Sequence, residues 1–254
     1  MPGFDSGVHR IHRRRCLVVS TDPCIGVPQE WFGWLLVHYS ASDVALFGAE
    51  PRYLALSLLG PPGTRFERYR SAMRQACAAA AELKATVVTG HTGSYNGLTA
   101  LIGTCTAYGL VDSKDLIAPD GSKPGDLILC SKPLGLEVLI NLALMRRKRA
   151  NRLFGERRAG QLARMMRMQS CVKEASLLAR IDGVHAMHDA TEGGLVAALN
   201  EMADTSGLGF TVDFGKLPIT DDARILVDSY ELTTSQLLAM SSTGTVLAAL
   251  SPAS

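Results

Sequence analysis

Four aspartates stand where their surroundings do not favour a carboxylate. Asp22 follows the apolar run Cys16 to Ser20 and precedes Pro23; aspartate before proline is also ordinary turn chemistry. Asp43 has Tyr39, Ser40, Leu46 and Phe47 as its helical neighbours. A carboxylate on so apolar a face needs a partner, because burying an unpaired charge is costly; an arginine, a backbone cap or a metal ion would serve. Asp189 closes the apolar stretch Gly183 to Met187, and Gly193-Gly194 then open a helical pattern. A helix N-terminus presents free N–H groups that suit phosphate, and glycine lets a ligand approach the backbone. Aspartate ahead of a helix is equally a common cap. Asp5, in "GFDSGVHRI", has a turn as its default explanation. Taken together, strand-end and helix carboxylates beside glycine-rich turns are the groups a Mg²⁺–nucleotide site uses, since Mg²⁺ takes oxygen ligands from carboxylates, phosphates and water. The chain contains no GxxxxGK[ST] phosphate loop and no protein-kinase signature set. No general base can be named.

The elements that must position these residues follow from periodicity and punctuation. "CLVVS" reads as a strand and "TDPCIGVP" as a loop. "WFGWLLVHYSASDVALFGAE" reads as a helix ending near Gly48, "RYLALSLL" as a strand, and Thr64 as the N-cap of a long helix over 65–84. "ATVVTG" is a strand ending at Gly90-His91-Thr92, and a long strand-like stretch follows over 97–111. The Pro/Gly-rich "APDGSKPGD" marks a boundary, placed at 118/119. A second unit then begins with the strand "LILCS" and a helix from about Leu136. Beyond the basic segment lie a helix near Gln161 to Ile181, the strand "GVHAM", the helix "GGLVAALNEMAD", and the strands "GFTVDF" and "TVLAALS". The pattern is mixed α/β, or α+β, in two halves: an N-terminal domain over 1–118 and a C-terminal domain over 119–254. Because the chain stops just after an apolar strand, the second domain is expected to be shortened.

The bulk numbers fit two modest globular domains: 254 residues, 47% hydrophobic, 20% charged and a net charge of +2. That charge does not call for nucleic acid. It is unevenly spread, however. From Arg146 to Arg167 nine cationic residues meet one acid, Glu156, so this segment carries +8 and the remainder −6. It reads as a solvated helix pair or insertion, with a docking surface for an anionic partner as the alternative. The six cysteines form no C-x-x-C pair, so free thiols in a reducing cytosol are expected. The N-terminus has no apolar signal region and no run is long enough for a membrane span, which predicts a cytoplasmic protein.

In this order, "STDPCIGVP", "SASDVALFGAEPRYLAL", "VVTGHTG", "GDLILCSKPLGLE" and "HDATEGGLVAALNEMA" resemble the motifs of the aminoimidazole ribonucleotide (AIR) synthase-related, or PurM-like, superfamily. Its members include that purine enzyme, a hydrogenase maturation factor, selenophosphate synthetase and thiamine monophosphate kinase. The last motif is most similar to the hydrogenase maturation (HypE) branch. The resemblance implies a homodimer whose N-terminal sheets pair into a barrel, with a second α/β domain beside it. It also implies ATP near the dimer interface, with Mg²⁺ held by aspartates, and transfer of the γ-phosphoryl group to an acceptor. By matching position, Asp5, Asp22, Asp43 and Asp189 are the metal- and phosphate-binding candidates. His91, Thr92 and the backbone of Gly193 and Gly194 are further nucleotide contacts.

Two departures bear on that reading. His91 stands where most members carry Asp; a neutral imidazole is a poor Mg²⁺ ligand, so a hydrogen bond to phosphate is its expected role. Both ends are expected to be short relative to the family, without the terminal cysteine on which the maturation factor works. The leading expectation is an ATP- and Mg²⁺-dependent phosphoryl-transfer or activating enzyme with an unidentified small-molecule or protein acceptor. Its alternatives are a non-catalytic dimeric module that binds nucleotide or a partner protein, and a thiamine monophosphate kinase-like small-molecule kinase.

Overall fold

The computed structural model describes residues 6–253. The chain is mixed α/β and divides into two compact units, Met1–Leu116 and Ile117–Ser254.

The first unit runs β1 (Ser6–His12), β2 (Arg15–Cys24), α1 (Phe32–Leu46), β3 (Glu50–Gly60), α2 (Phe66–Glu82), β4 (Thr86–Ser94) and β5 (Ile102–Asp112). Its strands form one sheet in the order β1-β2-β5-β3-β4. All neighbours are antiparallel except β3 and β4, the pair that α2 connects. Along β5 the odd-numbered residues Gly103 to Val111 are buried and the even-numbered ones only partly covered, the period of two expected of a strand with one face on a core. Helix α1 packs against β2 and β5 on one side and α2 on the other. That double cover explains why nearly every residue of α1 is buried and why it has no polar stripe. Helix α2 is the outer layer and is amphipathic, burying Tyr69, Ala72, Ala76, Ala79 and Ala80.

Two local expectations change here. Strand β2 continues through Asp22 and Pro23 to Cys24 instead of ending in a loop after Ser20. The described pairing with β1 ends at Ser6↔Ser20, while that with β5 continues to Cys24↔Gly103. Pro23, which has no N–H to give a second neighbour, is tolerated at such an edge. Thr64 does not cap α2. Its hydroxyl donates to Pro61 O at 2.7 Å, closing the preceding turn, and Arg65 occupies the N-cap position.

The second unit runs β6 (Leu127–Cys130), α3 (Leu136–Met145), α4 (Arg147–Arg164), α5 (Val172–Leu178), β7 (Val184–Asp189), α6 (Gly194–Ser206), α7 (Asp221–Ser229), α8 (Thr234–Leu238) and β8 (Val246–Leu250). Strand β8 is the middle of a three-stranded sheet, antiparallel to β6 and β7. One apolar cluster joins this sheet to α6 through Ala186, Leu195, Met202, Leu247 and Ala249. A second joins α3, α4, α7 and α8 through Leu139, Ala150, Leu162, Leu226 and Leu237.

Most of the basic segment is helical, as expected of a helix pair: it lies in α4, which is kinked at Gly155. Two expectations fail in this unit. A helix over Gln161–Ile181 does not form as one element: α4 ends at Arg164, a 3₁₀ turn covers Met166–Gln169, and Ser170 is extended before α5. "GFTVDF" is not a strand. The Asp213 side chain accepts from Gly215 N, folding the segment into a short 3₁₀ turn over Phe214–Lys216. Helices α7 and α8 were not anticipated.

Arg158 in α4 is fixed to α7. Its Nε donates to both oxygens of Asp222 at 3.0 Å and its Nη2 to Oδ2 at 2.5 Å, the two-pronged geometry that makes arginine–carboxylate pairs strong. The Asp222 side chain is 8% exposed and that of Arg158 43%. Removing the arginine therefore strands a buried carboxylate, whereas removing the aspartate frees a cation that water can solvate. Arg158→Ala should lower unfolding stability by about 2 kcal/mol, less than a fully buried pair because solvent screens the guanidinium. Asp222→Ala should cost less. Chemical denaturation of the two variants measures the difference, and equal losses would contradict this asymmetry.

Candidate functional site

In the first unit, Asp43 and Asp22 meet on the same side of the sheet. Asp43 projects from the interior of α1 and is 6% exposed. Ser20 Oγ donates to Asp43 Oδ2 at 2.7 Å. On β2 the even-numbered residues from Cys16 to Ser20, and again Cys24, are buried under α1; Asp22 has that parity, about 7 Å along from Ser20. Asp22 N donates to Ser40 Oγ at 3.3 Å, and Ser40 Oγ donates to Cys105 O at 2.7 Å. Ser40 sits one helical turn before Asp43. Two serines thus join the two aspartates, one tying strand to helix at Asp43 and the other tying helix to strand at Asp22.

The neighbouring thiols are inert. Burial pushes the Cys105 thiol up to about 12, with the Asp22 charge adding to the rise and the Ser40 hydrogen bond opposing it. Burial also pushes Cys24 up to about 12, with Cys105 contributing. A thiol in that range carries almost no thiolate at neutral pH and is no nucleophile. Asp22 is the direct partner of Cys105 across β2 and β5, which puts it beside these thiols.

His91 and Thr92 lie elsewhere on the sheet. The register runs Asp22↔Cys105, Cys105↔Leu56, Leu56↔Gly90, so β4 is three strand spacings, about 14 Å, from Asp22. His91 pairs with Ser57 and Thr92 with Leu58 along the exposed β4. His91 Nε2 is 2.8 Å from Tyr95 Oη. Within one copy of the unit, His91 and the Asp22–Asp43 corner cannot share one ion. Asp5 lies outside the described residues.

In the second unit, Asp189 ends β7 and is 2% exposed. Thr191 Oγ1 donates to its Oδ1 at 3.5 Å. The next residue is locked on both sides: Ala190 N donates to Thr245 O at 3.0 Å and Ser242 N to Ala190 O at 2.7 Å. Gly193 and Gly194 adopt left-handed φ values of 78° and 59°. Gly194 N donates to Thr191 O at 2.9 Å, and a Cβ on Gly194 would fall 2.5 Å from both Leu238 O and Met240 O. The close approach that glycine permits here is to the chain's own backbone. Beside Asp189, His188 is buried, with Nδ1 2.8 Å from Asp189 O and Nε2 2.8 Å from Glu201 Oε2. On the same strand His185 Nδ1 lies 2.9 Å from Asp126 Oδ2. Burial alone would raise the Asp126 pKa, but the hydrogen bonds from His185 and from the Lys123 N–H outweigh it and hold the carboxyl below its ordinary value.

Sequence reasoning picked out the carboxylates and missed the groups that hold them. Ser40 was legible in principle, because "SASD" puts a hydroxyl three residues before Asp43 on a helix. The His188–Glu201 contact joins a strand to a helix turn thirteen residues on and leaves no local signal.

A metal site can be assessed from the side chains present. Among the described residues no group of three or more His, Cys, Asp or Glu side chains is placed to hold a metal ion. A site that keeps several waters and uses one or two carboxylates plus substrate phosphates is the usual Mg²⁺ arrangement. Asp22 and Asp43 supply two carboxylates on one sheet face, the number that such an arrangement uses.

A five-stranded sheet covered by two helix layers, with two aspartates between the sheet and its inner helix, followed by an α/β unit with a three-stranded sheet, defines a two-domain α/β scaffold of the PurM-like type. The model of the AIR synthase related protein N-terminal domain matches residues 3–111 and that of its C-terminal domain residues 123–254, and the chain belongs to this family. It is 31% identical over 212 residues to the carbamoyl dehydratase HypE of Cupriavidus necator, covering 80% of this chain and 57% of that protein. It is 30% identical over 234 residues to the selenide, water dikinase of Burkholderia pseudomallei, covering 90% and 62%. The chain thus spans less than two thirds of the length of these relatives. Among solved structures, the thiamine monophosphate kinase of Aquifex aeolicus superposes with a TM-score of 0.81 at 19% identity, over 100% of this chain and 85% of that one. HypE in complex with ATP superposes with a TM-score of 0.72 at 23% identity, over 93% and 69%.

Two measurements test this geometry. Gly194→Ala should destabilise the ligand-free protein by about 2–4 kcal/mol, from the left-handed φ and the two carbonyl contacts together. An unchanged melting temperature would return that glycine to a role in ligand approach. The depressed Asp126 carboxyl contributes stability that is present above the unfolded aspartate pKa, about 3.9, and is lost as pH falls through the lower folded value. Asp126→Asn should therefore be less stable at neutral pH and lose less stability than the parent on acidification below about pH 4, as read by denaturant midpoints across pH.

Proposed function

We propose that the chain is an ATP- and Mg²⁺-dependent phosphoryl-transfer or activating enzyme of the HypE-like type, acting on an acceptor not yet identified. The observation that carries this reading is the Asp22–Asp43 corner: two aspartates on one face, the Asp43 carboxylate held by Ser20 and the Asp22 backbone N–H by Ser40, in a family whose relatives include a HypE solved in complex with ATP. In this reading Asp22 and Asp43 hold Mg²⁺, which when bound neutralises phosphate charge and orients the transferring group. Ser20 keeps the Asp43 carboxylate pointed and Ser40 fixes the β2 backbone at Asp22, so little reorganisation is left for the binding step. Asp5 and Asp189, by their match to the family's motifs, are each assigned a metal- or phosphate-binding role. Thr92, the His91 ring N–H and the α6 N-terminus at Gly193 are assigned as hydrogen-bond donors to nucleotide.

The assignment uses two copies of the chain. The sheet face opposite α1 carries Leu17, Val19, Ala55, Leu59, Tyr108 and Leu110 in only partial cover, a surface suited to burial against the same face of a second copy. No helix among the described residues is long and apolar enough to cross a membrane.

Calorimetric titration with ATP, with and without Mg²⁺, tests the reading, followed by ADP release with a protein-borne carboxamide, selenide or thiamine monophosphate as acceptor. Mg²⁺ should strengthen ATP binding. Asp43→Ala should weaken Mg²⁺–ATP binding at least about tenfold, ~1.4 kcal/mol, while changing Mg²⁺-free binding little. Binding that is identical in that variant would remove Asp43 from the site. No binding at millimolar ATP would end the nucleotide reading, and binding without ADP release for any acceptor would identify a nucleotide-responsive module.

A further inference from the structure

Helix α4 is not straight. At Gly155 the backbone leaves the helical region, with φ 77° and ψ 156°, and the helix resumes in a new direction. The change brings together residues far apart along the chain. In a straight helix Arg147 and Gly160 would be about 20 Å apart along the axis. Here Arg147 Nη2 lies 3.5 Å, and Arg164 Nη1 3.6 Å, from the position a Gly160 Cβ would occupy. Two guanidinium groups thus converge over a bare glycine.

The other arginines of this helix show what that convergence lacks. Arg158 is held by Asp222, and Arg149 stacks over the Tyr230 ring at 4.6 Å from its centre. Arg147 and Arg164 are exposed and have no carboxylate within ion-pair distance among the described residues. Two like charges held side by side repel, and the neighbouring exposed Arg146, Lys148, Arg152 and Arg157 outnumber Glu156, the one acid within the segment. An anion between the two relieves that repulsion. Arginine's planar fork suits tetrahedral oxyanions in particular, because each guanidinium can give two parallel N–H bonds.

We propose that Arg147 and Arg164, over the floor made by Gly160, form a binding site for a phosphomonoester dianion, separate from the carboxylates assigned to the nucleotide. The glycine leaves space for one phosphate oxygen between the two forks. The group could be borne by a small metabolite or by a phosphorylated side chain; both present the same dianion.

The probe is inorganic phosphate, titrated at constant ionic strength and followed by calorimetry and thermal melting, with chloride as control. The parent should bind phosphate saturably and melt higher in it, and chloride should not reproduce the effect. Arg147→Gln/Arg164→Gln should keep its circular dichroism spectrum and its Mg²⁺–ATP affinity while phosphate binding falls at least about tenfold. Gly160→Asp supplies an internal carboxylate at the same point, so it should melt higher than the parent without phosphate and show no further response to it. Ribose 5-phosphate and a phosphoserine peptide then distinguish the two sources by which competes more strongly. The proposal is overturned by equal shifts in phosphate and chloride, or by a parent-like phosphate response in the double variant or in Gly160→Asp.

Discussion

A buried ammonium organises the second unit. Lys132 follows β6, with its side chain 7% exposed, and Nζ contacts Met168 O at 3.0 Å, Ser170 O at 2.7 Å, Gly244 O at 2.8 Å and Glu174 Oε1 at 2.9 Å. An ammonium withdrawn from water must have its three protons satisfied, and here the acceptors come from three separate stretches of chain. Two of them give up regular structure for it. Met168 and Ser170 can turn their carbonyls toward one point only if the helix is interrupted, which it is between α4 and α5. Gly244 adopts φ 91°, where a side chain would run into Met168 O. The 242–245 turn so fixed then grips Ala190 from both sides, and Ala190 follows Asp189. The position of the candidate carboxylate in this unit therefore traces back to one lysine fifty-seven residues earlier.

That dependence explains which parts of the fold could be read from the sequence. The strands around β2, β3, β5, β7 and β8, and helices α1, α2, α3 and α6, are legible because their apolar periods are satisfied locally by a sheet face or a helix face. The helix expected over 161–181 fails because nothing in "ARMMRMQSCVKEASLL" announces that a distant lysine will take two of its carbonyls. Helices α7 and α8 are a different kind of miss. Thr220 caps α7 ahead of Asp221 and Asp222, and Thr233 with Gln236 forms a capping box at α8. Those signals are local and were present in "ITDDARIL" and "TTSQLL", but short amphipathic helices give little periodicity to draw attention to them. The end of β2 shows the limit of punctuation rules: Pro23 reads as a loop marker unless the edge on which it sits is known.

The candidate carboxylates were visible for a sound reason and positioned by groups that were not. Asp43 stood out because α1 is otherwise almost uniformly apolar. The same uniformity, caused by cover from both the sheet and α2, means that any polar group in α1 must find a partner within the core. Ser20 from β2 provides it, and Ser40 returns the connection to β2 at Asp22. In the sequence Asp22 and Asp43 are separated by a loop and half a helix; in the fold they share one sheet face because β2 keeps its alternation past the proline. Gly194 is the opposite case. Its place ahead of a helix suggested ligand approach, and the fold uses its missing side chain for packing against Leu238 and Met240.

Burying carboxylates under α1 and at the end of β7 makes sense only if rigidity is worth its cost. A carboxylate on a mobile loop could meet a cation with less desolvation but would lose entropy on binding. One held by a serine on a packed helix has lost that freedom during folding, so a cation arriving with phosphate oxygens meets ligands already oriented. The exposed arginines of α4 follow the opposite logic. They keep their hydration, and two of them are drawn together by a helix kink instead of by a carboxylate, leaving a concentration of positive charge that the protein does not neutralise itself. Carboxylates held in the core and cations left open on the surface are complementary arrangements: in the readings proposed above, the first suits a metal-bearing anion and the second an anion alone.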